Sequence, residues 1–309
     1  MIDRPRHIEQ FLQYLEFEKR YSAHTLTSYQ TDLGQFVSFI TQIYDLQEWQ
    51  SVQGMHVRAW MVYLLDQGLS ERSINRKFSA LKSFFKFLKR HNNLTTDPMK
   101  KVVAPKVRKR LPEFLREGQT ELLFSKVVFP EGFEGLRDRL VLELLYQTGL
   151  RRSELVRLRD TDLDRSAGWL RVKGKGGKTR LVPVTGPLVQ LIDAYREIRE
   201  AADFEAAPEL LRTDAGKAMY PKFVYNLVRR YLSQVTTAEK RSPHVLRHTF
   251  ATHLANRGAD LNVIKELLGH SSLAATQVYT HNTVEKLKAV YRQAHPKAGG
   301  HPEGDHTEN

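Results

Sequence analysis

Between residues 93 and 112 the helical apolar rhythm of the chain breaks off, and this break constrains the fold more than any other feature. Asn92, Asn93, Pro98, Pro105 and Pro112 punctuate the stretch. Lys100, Lys101, Lys106, Arg108, Lys109 and Arg110 make six basic residues in eleven, with no acid among them. Such a stretch reads as a connector. The 309 residues therefore divide into a domain over 1–92, a basic interdomain linker over 93–112 and a second domain over 113–292. The tail over 293–309 is rich in Gly, Pro and His and reads as disordered.

The first block reads as helices. Ile8, Phe11, Leu12 and Leu15 share a face, and Leu26, Tyr29, Leu33, Phe36 and Ile40 follow with helical spacing. A third helix is expected over 57–65, ended by Asp66-Gln67-Gly68, and Ser70 is placed to cap the fourth, over 71–90. On that fourth helix Ile74, Phe78, Leu81, Phe85 and Leu88 fall in one arc of about 60°. Arg72, Arg76, Lys82, Lys86, Lys89 and Arg90 fall in an adjoining arc of about 140°. Solvated faces usually mix both signs of charge. A one-sign face beside an apolar one suggests a helix packed on a core and laid against phosphates.

The second block mixes helices with one β element. Helices are expected over 119–126, 136–147, 244–257 and 284–291, with further helical spacing around Leu188–Tyr195 and Phe223–Tyr231. Residues 169–172 and 179–184 flank Gly174-Lys175-Gly176-Gly177 and read as a hairpin. Asp260 caps a short helix that Gly269 ends, and Ser272 caps the helix carrying Tyr279.

Charge narrows the partner. Lys and Arg number 48 against 35 Asp and Glu, a net +13, which suits a polyanion such as nucleic acid. There is no cysteine, so disulfides, thiol catalysis and thiolate metal sites are excluded together. No apolar run is long enough to span a membrane, and the polar start MIDRPRHIEQ lacks a signal-peptide core. These features fit the cytoplasm.

Four segments carry chemistry: Thr-Gly-Leu-Arg-Arg-Ser-Glu-Leu at 148–155, Gly-Lys-Gly-Gly-Lys at 174–178, His-Val-Leu-Arg-His-Thr-Phe at 244–250, and Leu-Gly-His at 268–270 followed by Tyr279-Thr280-His281. His244 and Arg247 share one face at the first turn of a helix, a corner that invites a phosphate. His244 and His248 also have the i, i+4 spacing of metal ligands, but Arg247 beside them opposes a divalent cation, and no HExxH pattern is present. Arg151 follows a Thr-Gly turn. Lys175 sits among glycines that let a ligand approach closely. Taken singly, each is an ordinary surface or rim residue. As a set, Arg151, Lys175, His244, Arg247, His270 and Tyr279 suggest phosphoryl chemistry without metal or other cofactor. Tyr is able to attack phosphorus covalently, and cationic side chains stabilise the charge that develops.

On these motifs, which span both blocks in order, the chain resembles the tyrosine recombinases of the phage integrase family, and within it the Xer-type bacterial recombinases. The resemblance implies a mainly α fold with a small β-hairpin or sheet in the catalytic domain. It implies a two-domain DNA clamp, with a helical core-binding (SAM-like) domain and a tyrosine recombinase catalytic domain. By motif position, Tyr279 is the nucleophile, forming a covalent 3′-phosphotyrosine. Arg151, His244, Arg247 and His270 bind the scissile phosphate and assist proton transfer, and Lys175 is the general acid. The chain departs from the family at Ala275, where Thr is common, in the longer approach over 127–135, and in its longer tail. No arm-binding domain is expected before residue 1.

The implied activity is site-specific DNA strand exchange at a short two-armed site, in the Xer case a dif-like site that resolves chromosome dimers. The implied partners are double-stranded DNA, a homo- or hetero-tetramer formed with itself or a paralogous recombinase, and a cell-division translocase. The helix over 283–292 is expected to dock on a neighbouring protomer. A type IB topoisomerase-like nicking and closing enzyme is the rival chemistry, and a non-catalytic architectural DNA-binding protein is the rival of another class.

Overall fold

A computed structural model of the chain describes residues 4–92, 94–106, 113–174, 178–202, 204–269 and 281–298. The chain separates into two compact units, Met1–Arg110 and Leu111–Asn309.

The first unit is built from α1 (Arg4–Gln13), which runs on through a π-helical turn at Tyr14–Glu18, α2 (Ala23–Tyr44), α3 (Gly54–Asp66) and α4 (Glu71–His91). The expected apolar faces meet: Phe11, Leu15, Leu33, Phe36, Ile40, Ile74, Leu81, Phe85 and Leu88 are buried in one core with Trp49 and Trp60. The Ser70 hydroxyl accepts from the Ser73 amide at the start of α4, as its type predicts. The buried arc of α4 is wider than its five-residue stripe, because Phe84 packs edge-on against both Phe11 and Trp49. Lys77 is buried as well, paired with the buried Asp32 at 2.8 Å.

The first part of the stretch expected to be a basic interdomain linker is packed on this unit. Leu94, Met99 and Val102 bury themselves in the core of this unit. Asn75 Nδ2 on α4 donates to the Pro105 carbonyl across 2.7 Å. Apolar residues interleaved with the prolines are the physical reason: three buried side chains and the Asn75 contact offset part of the cost of ordering the segment, and prolines reduce that cost.

The second unit centres on α6 (Phe133–Thr148). Leu140, Val141, Leu142, Leu144, Leu145 and Tyr146 are all buried, so the helix has no solvent stripe over these two turns. Each buried leucine contributes about 1.5–3 kcal/mol. Around it pack α5 (Glu117–Ser125), α8 (Gly186–Ala201), α9 (Pro221–Val235) and α10 (Pro243–Asn256), with the one-turn α7 (Arg152–Leu155) following it. The hairpin forms from β2 (Trp169–Lys173) and β3 (Thr179–Pro183), antiparallel with Trp169 opposite Pro183 and Lys173 opposite Thr179. The Gly174 amide donates to the Lys178 carbonyl at its end. A short β1 (Leu163–Asp164), not anticipated, adds a third strand beside β2.

A second cluster joins α10 and β3 to α11 (Leu261–Leu268) and α12 (His281–Ala294). Asp260 caps α11 by accepting from the Asn262 amide at 2.7 Å, and Gly269 ends it at φ +64°. In the single chain α12 lies on its own unit, with Leu287 and Tyr291 buried against Phe250 and Leu254, and the Tyr291 hydroxyl donates to the Gln147 carbonyl at 3.1 Å. The expectation of a disordered tail is corrected in its first part. The segment after α12 is packed as far as residue 298. His295 is fully buried and stacks on Tyr291, and Lys297 pairs with Glu143. Three aromatic rings around one imidazole, those of Tyr146, Phe250 and Tyr291, hold down a stretch whose composition reads as tail.

Candidate active site

The site is framed where α6 ends. Gly149 adopts φ +60°, and a Cβ there would stand 2.6 Å from Phe250 Cδ1 and 2.8 Å from Leu268 Cδ2. Glycine alone permits this turn, which brings Leu150 and Arg151 between α10 and α11. Arg151 then caps α7. Its amide donates to Glu154 Oε2 and its Nη1 to Glu154 Oε1, both at 2.8 Å. Its Nη2 reaches the Gly269 carbonyl at 3.4 Å.

Arg247, one turn into α10, converges on the same place. Its Nη2 donates to the Leu268 carbonyl at 2.7 Å and its Nη1 to the Gly149 carbonyl. Glu154 Oε2 lies 4.0 Å from its Nη1. A third guanidinium comes from β3. Arg180 grips both oxygens of Glu154, Nη1 to Oε1 at 2.9 Å and Nη2 to Oε2 at 2.8 Å, while its Nε donates to the Leu267 carbonyl at 2.7 Å. Thus one buried carboxylate stands among three arginines.

The electrostatics follow. Burial alone would raise the Glu154 carboxyl, but hydrogen bonds and charge from Arg180, then from Arg151, outweigh it and hold the group at about 2. It is ionised at any working pH. Arg247 is pulled down to about 10 by burial and by the charges of Arg151 and Arg180, yet stays protonated at neutral pH. His244, at the first turn of α10, is shifted below its ordinary value by desolvation and by the charges of Arg152, Arg247 and Arg151. Its imidazole is therefore neutral near pH 7 and able to exchange a proton. Half-buried Arg151 keeps its guanidinium partly open, so a phosphate has access to it.

The base of the site is fastened through α10. His253 Nε2 bonds the Leu115 carbonyl at 2.8 Å, so that nitrogen carries the proton, and Nδ1 accepts from the Tyr146 hydroxyl at 3.0 Å. The Leu115 amide donates to the Thr249 hydroxyl at 2.9 Å. Burial lowers the His253 pKa, consistent with this neutral tautomer.

Of the six residues proposed from sequence, Arg151, His244 and Arg247 are brought together. Lys175, His270 and Tyr279 lie outside the described residues. On α4, Arg72, Lys82, Lys86 and Lys89 are exposed along with Lys100, Lys101 and Lys106. Arg76 is exposed too, but its guanidinium is bound to Asp32. Arg108, Lys109 and Arg110 lie outside the described residues. Among the described residues no three His, Asp or Glu side chains are grouped to hold a metal ion, and the His244–His248 pair gains no further ligand. Sequence reasoning missed Glu154 and Arg180. Glu154 stood three residues after Arg151, the spacing that lets a side chain reach back to a helix cap. Arg180 offered only an unexplained charge on an apolar strand.

Two family models match the chain: the phage integrase family over residues 113–286, and the phage integrase N-terminal SAM-like domain over residues 8–92. The chain belongs to the phage integrase family. This tyrosine recombinase is 39% identical to a protein named Tyrosine recombinase XerC from Chlorobaculum parvum, with 96% of each chain covered. It is 40% identical to that of Chlorobaculum tepidum, with 95% of each covered. A Listeria innocua protein of the same name is 37% identical over 94% of this chain and 97% of its own. Among solved structures, the XerH site-specific recombinase bound to palindromic difH substrate after cleavage resembles it with a TM-score of 0.70. That match has 22% identity over 91% of this chain and 83% of that one. The Tn1549 transposon integrase with transposon right-end DNA matches at 0.67, with 21% identity over 91% of this chain and 97% of that one. At such identities the likeness is one of fold, mainly helical with a small antiparallel sheet. No helix among the described residues of this recombinase is long and apolar enough to cross a membrane.

Proposed function

We propose that the chain is a site-specific recombinase that cuts and rejoins double-stranded DNA, with Tyr279 as nucleophile. The observation that carries the reading is the convergence of Arg151 and Arg247 on Glu154, which fixes both the Arg151 amide and its guanidinium, with His244 on the same first turn of α10 as Arg247. Two guanidiniums anchored on the adjacent carbonyls of Leu268 and Gly269 suit a phosphate whose charge grows during reaction.

The chemistry is two transesterifications. The Tyr279 phenolic oxygen attacks the scissile phosphorus, the bond from phosphorus to the 5′-oxygen breaks, and Lys175 gives that oxygen a proton. A 3′-phosphotyrosyl link and a free 5′-hydroxyl result. The 5′-hydroxyl of the partner duplex then attacks the link, and the tyrosine oxygen leaves and regains its proton. His244 and His270 move protons at the tyrosine oxygen, while Arg151 and Arg247 hold the non-bridging oxygens. One phosphoester replaces another, so no ATP is consumed.

The helical unit, with Arg72, Lys82, Lys86 and Lys89 on α4, and the basic segment with Lys100, Lys101, Lys106, Arg108, Lys109 and Arg110 neutralise DNA phosphates, while Arg76 is paired with Asp32. Strand exchange between two duplexes takes four active sites, hence a tetramer on DNA with itself or a paralogous recombinase. Likeness to proteins named XerC supports a dif-like site, chromosome dimer resolution and control by a division translocase, in the cytoplasm.

The test is covalent trapping on a nicked suicide duplex bearing the host's terminus-region site, followed by a two-site exchange assay. Wild type is expected to form adduct and exchange strands, and Tyr279→Phe to bind DNA without adduct. An adduct from Tyr279→Phe overturns the nucleophile. Adduct and relaxation without exchange give the topoisomerase reading.

A further inference from the structure

Arg180 belongs to no part of the mechanism above, yet it is nearly inaccessible and spends every guanidinium nitrogen on the site's frame. It leaves β3 one residue past its start, just beyond the Gly-Lys-Gly-Gly-Lys turn. Its two Nη atoms hold the two oxygens of Glu154, the carboxylate that also binds the amide and guanidinium of Arg151. Its Nε holds the Leu267 carbonyl, and its Cδ passes 3.1 Å from where a Cβ on Gly269 would stand. Arg247 ties the next carbonyl, Leu268, and Arg151 the one after, Gly269. Three arginines thus hold three consecutive carbonyls at the end of α11, and Arg180 alone also links that turn to the hairpin strand.

We propose that Arg180 is a positioning residue for DNA cleavage. Its planar fork locks the carboxylate that orients Arg151, and at the same time sets the turn from which the chain runs on to His270. The inference rests on the recombinase reading above. A lysine cannot do both, because one ammonium point charge lacks the paired parallel donors and the third donor at Nε. A misplacement of about 1 Å at such a site costs about 100-fold in rate.

The experiment uses the full-length protein and three readouts on Arg180→Lys. First, without DNA, amide hydrogen exchange should rise in peptides covering 149–155 and 267–269 while α6 keeps its protection. Second, covalent trapping on the wild-type protein's site should fall about 100-fold with DNA affinity within about twofold. Third, the defect should shrink to a few-fold on DNA with a methylphosphonate at the scissile position, which carries one charge fewer for Arg151 to meet. Should Arg180→Lys not fold, Arg180→Gln, which keeps an amide donor for Glu154 and no charge, takes its place in the same three readouts.

Unchanged exchange at 149–155 overturns the proposal whether or not the protein cleaves DNA. So does wild-type cleavage by Arg180→Lys, or an equal defect on both substrates, which marks a general loss of fold. A wild-type protein that forms no adduct refutes the recombinase reading instead, and the exchange data still decide the Arg180–Glu154–Arg151 linkage.

Discussion

The guanidinium of Arg247 donates to the carbonyl of Leu268 across 2.7 Å, tying α10 to the last residue of α11. An arginine that spends Nη2 and Nη1 on backbone oxygens is rigid before any phosphate arrives. Preorganised donors of this kind act without reorganising during the reaction. Arg247→Lys keeps the charge and loses this geometry. Covalent adduct formation should fall by about 10²–10³, with DNA affinity within a few-fold of wild type. An equal fall in affinity and cleavage would assign Arg247 to binding alone.

For Lys175, the leaving group gives the test. An alkoxide leaves poorly unless protonated, whereas a thiolate needs no proton, the thiol pKa being about 8.5. Lys175→Ala should cleave ordinary DNA about 10²–10⁴ times more slowly. It should cleave DNA with sulfur at the bridging 5′ position nearly as fast as wild type does. Absence of that rescue would make Lys175 a phosphate or base contact.

Salt dependence reads the basic face of α4. If Lys82, Lys86 and Lys89 each neutralise a phosphate, changing all three to Gln should reduce the magnitude of the slope of log K against log salt by about 2.7. The three are exposed, so the fold should be unaffected. An unchanged slope would return this face to ordinary solvation.

Stability against pH tests His295. Burial holds its folded-state pKa at about 3, below the ordinary value of about 6.5. As pH falls the unfolded chain takes up the proton first, so stability is full above about pH 6.5 and is lost progressively below it. The loss approaches about 1.4 kcal/mol per pH unit from this group. His295→Phe keeps a ring against Tyr291 and removes the titration. Its denaturant midpoint should fall less steeply than wild type's between pH 6.5 and 5. Parallel curves would show that His295 is solvated in the native state.

Much of the helical scaffold was legible, because buried faces such as Ile74–Leu88 on α4 depend on spacing alone. The three-arginine cluster was only half legible. Arg151 and Arg247 stand in dense motifs, but Arg180 acquires its meaning from Glu154, 26 residues away, and from a carbonyl 87 residues away. No local pattern encodes such a pairing. The packing of Leu94, Met99 and Val102 was masked by the prolines and lysines around them. That of His295 was masked by a tail composition in which one aromatic-stacked imidazole carries the order.

Glu154 has a consequence for the energy of the DNA-free protein. Three guanidiniums face one carboxylate, so two positive charges go uncompensated within a largely buried volume. The pKa of Arg247 is lowered first by burial and then by the charges of Arg151 and Arg180. A phosphodiester brings one negative charge, and the five-coordinate phosphorus formed on attack carries a second. The excess positive charge of the three arginines is therefore met more fully at the moment of bond exchange than on first contact with DNA.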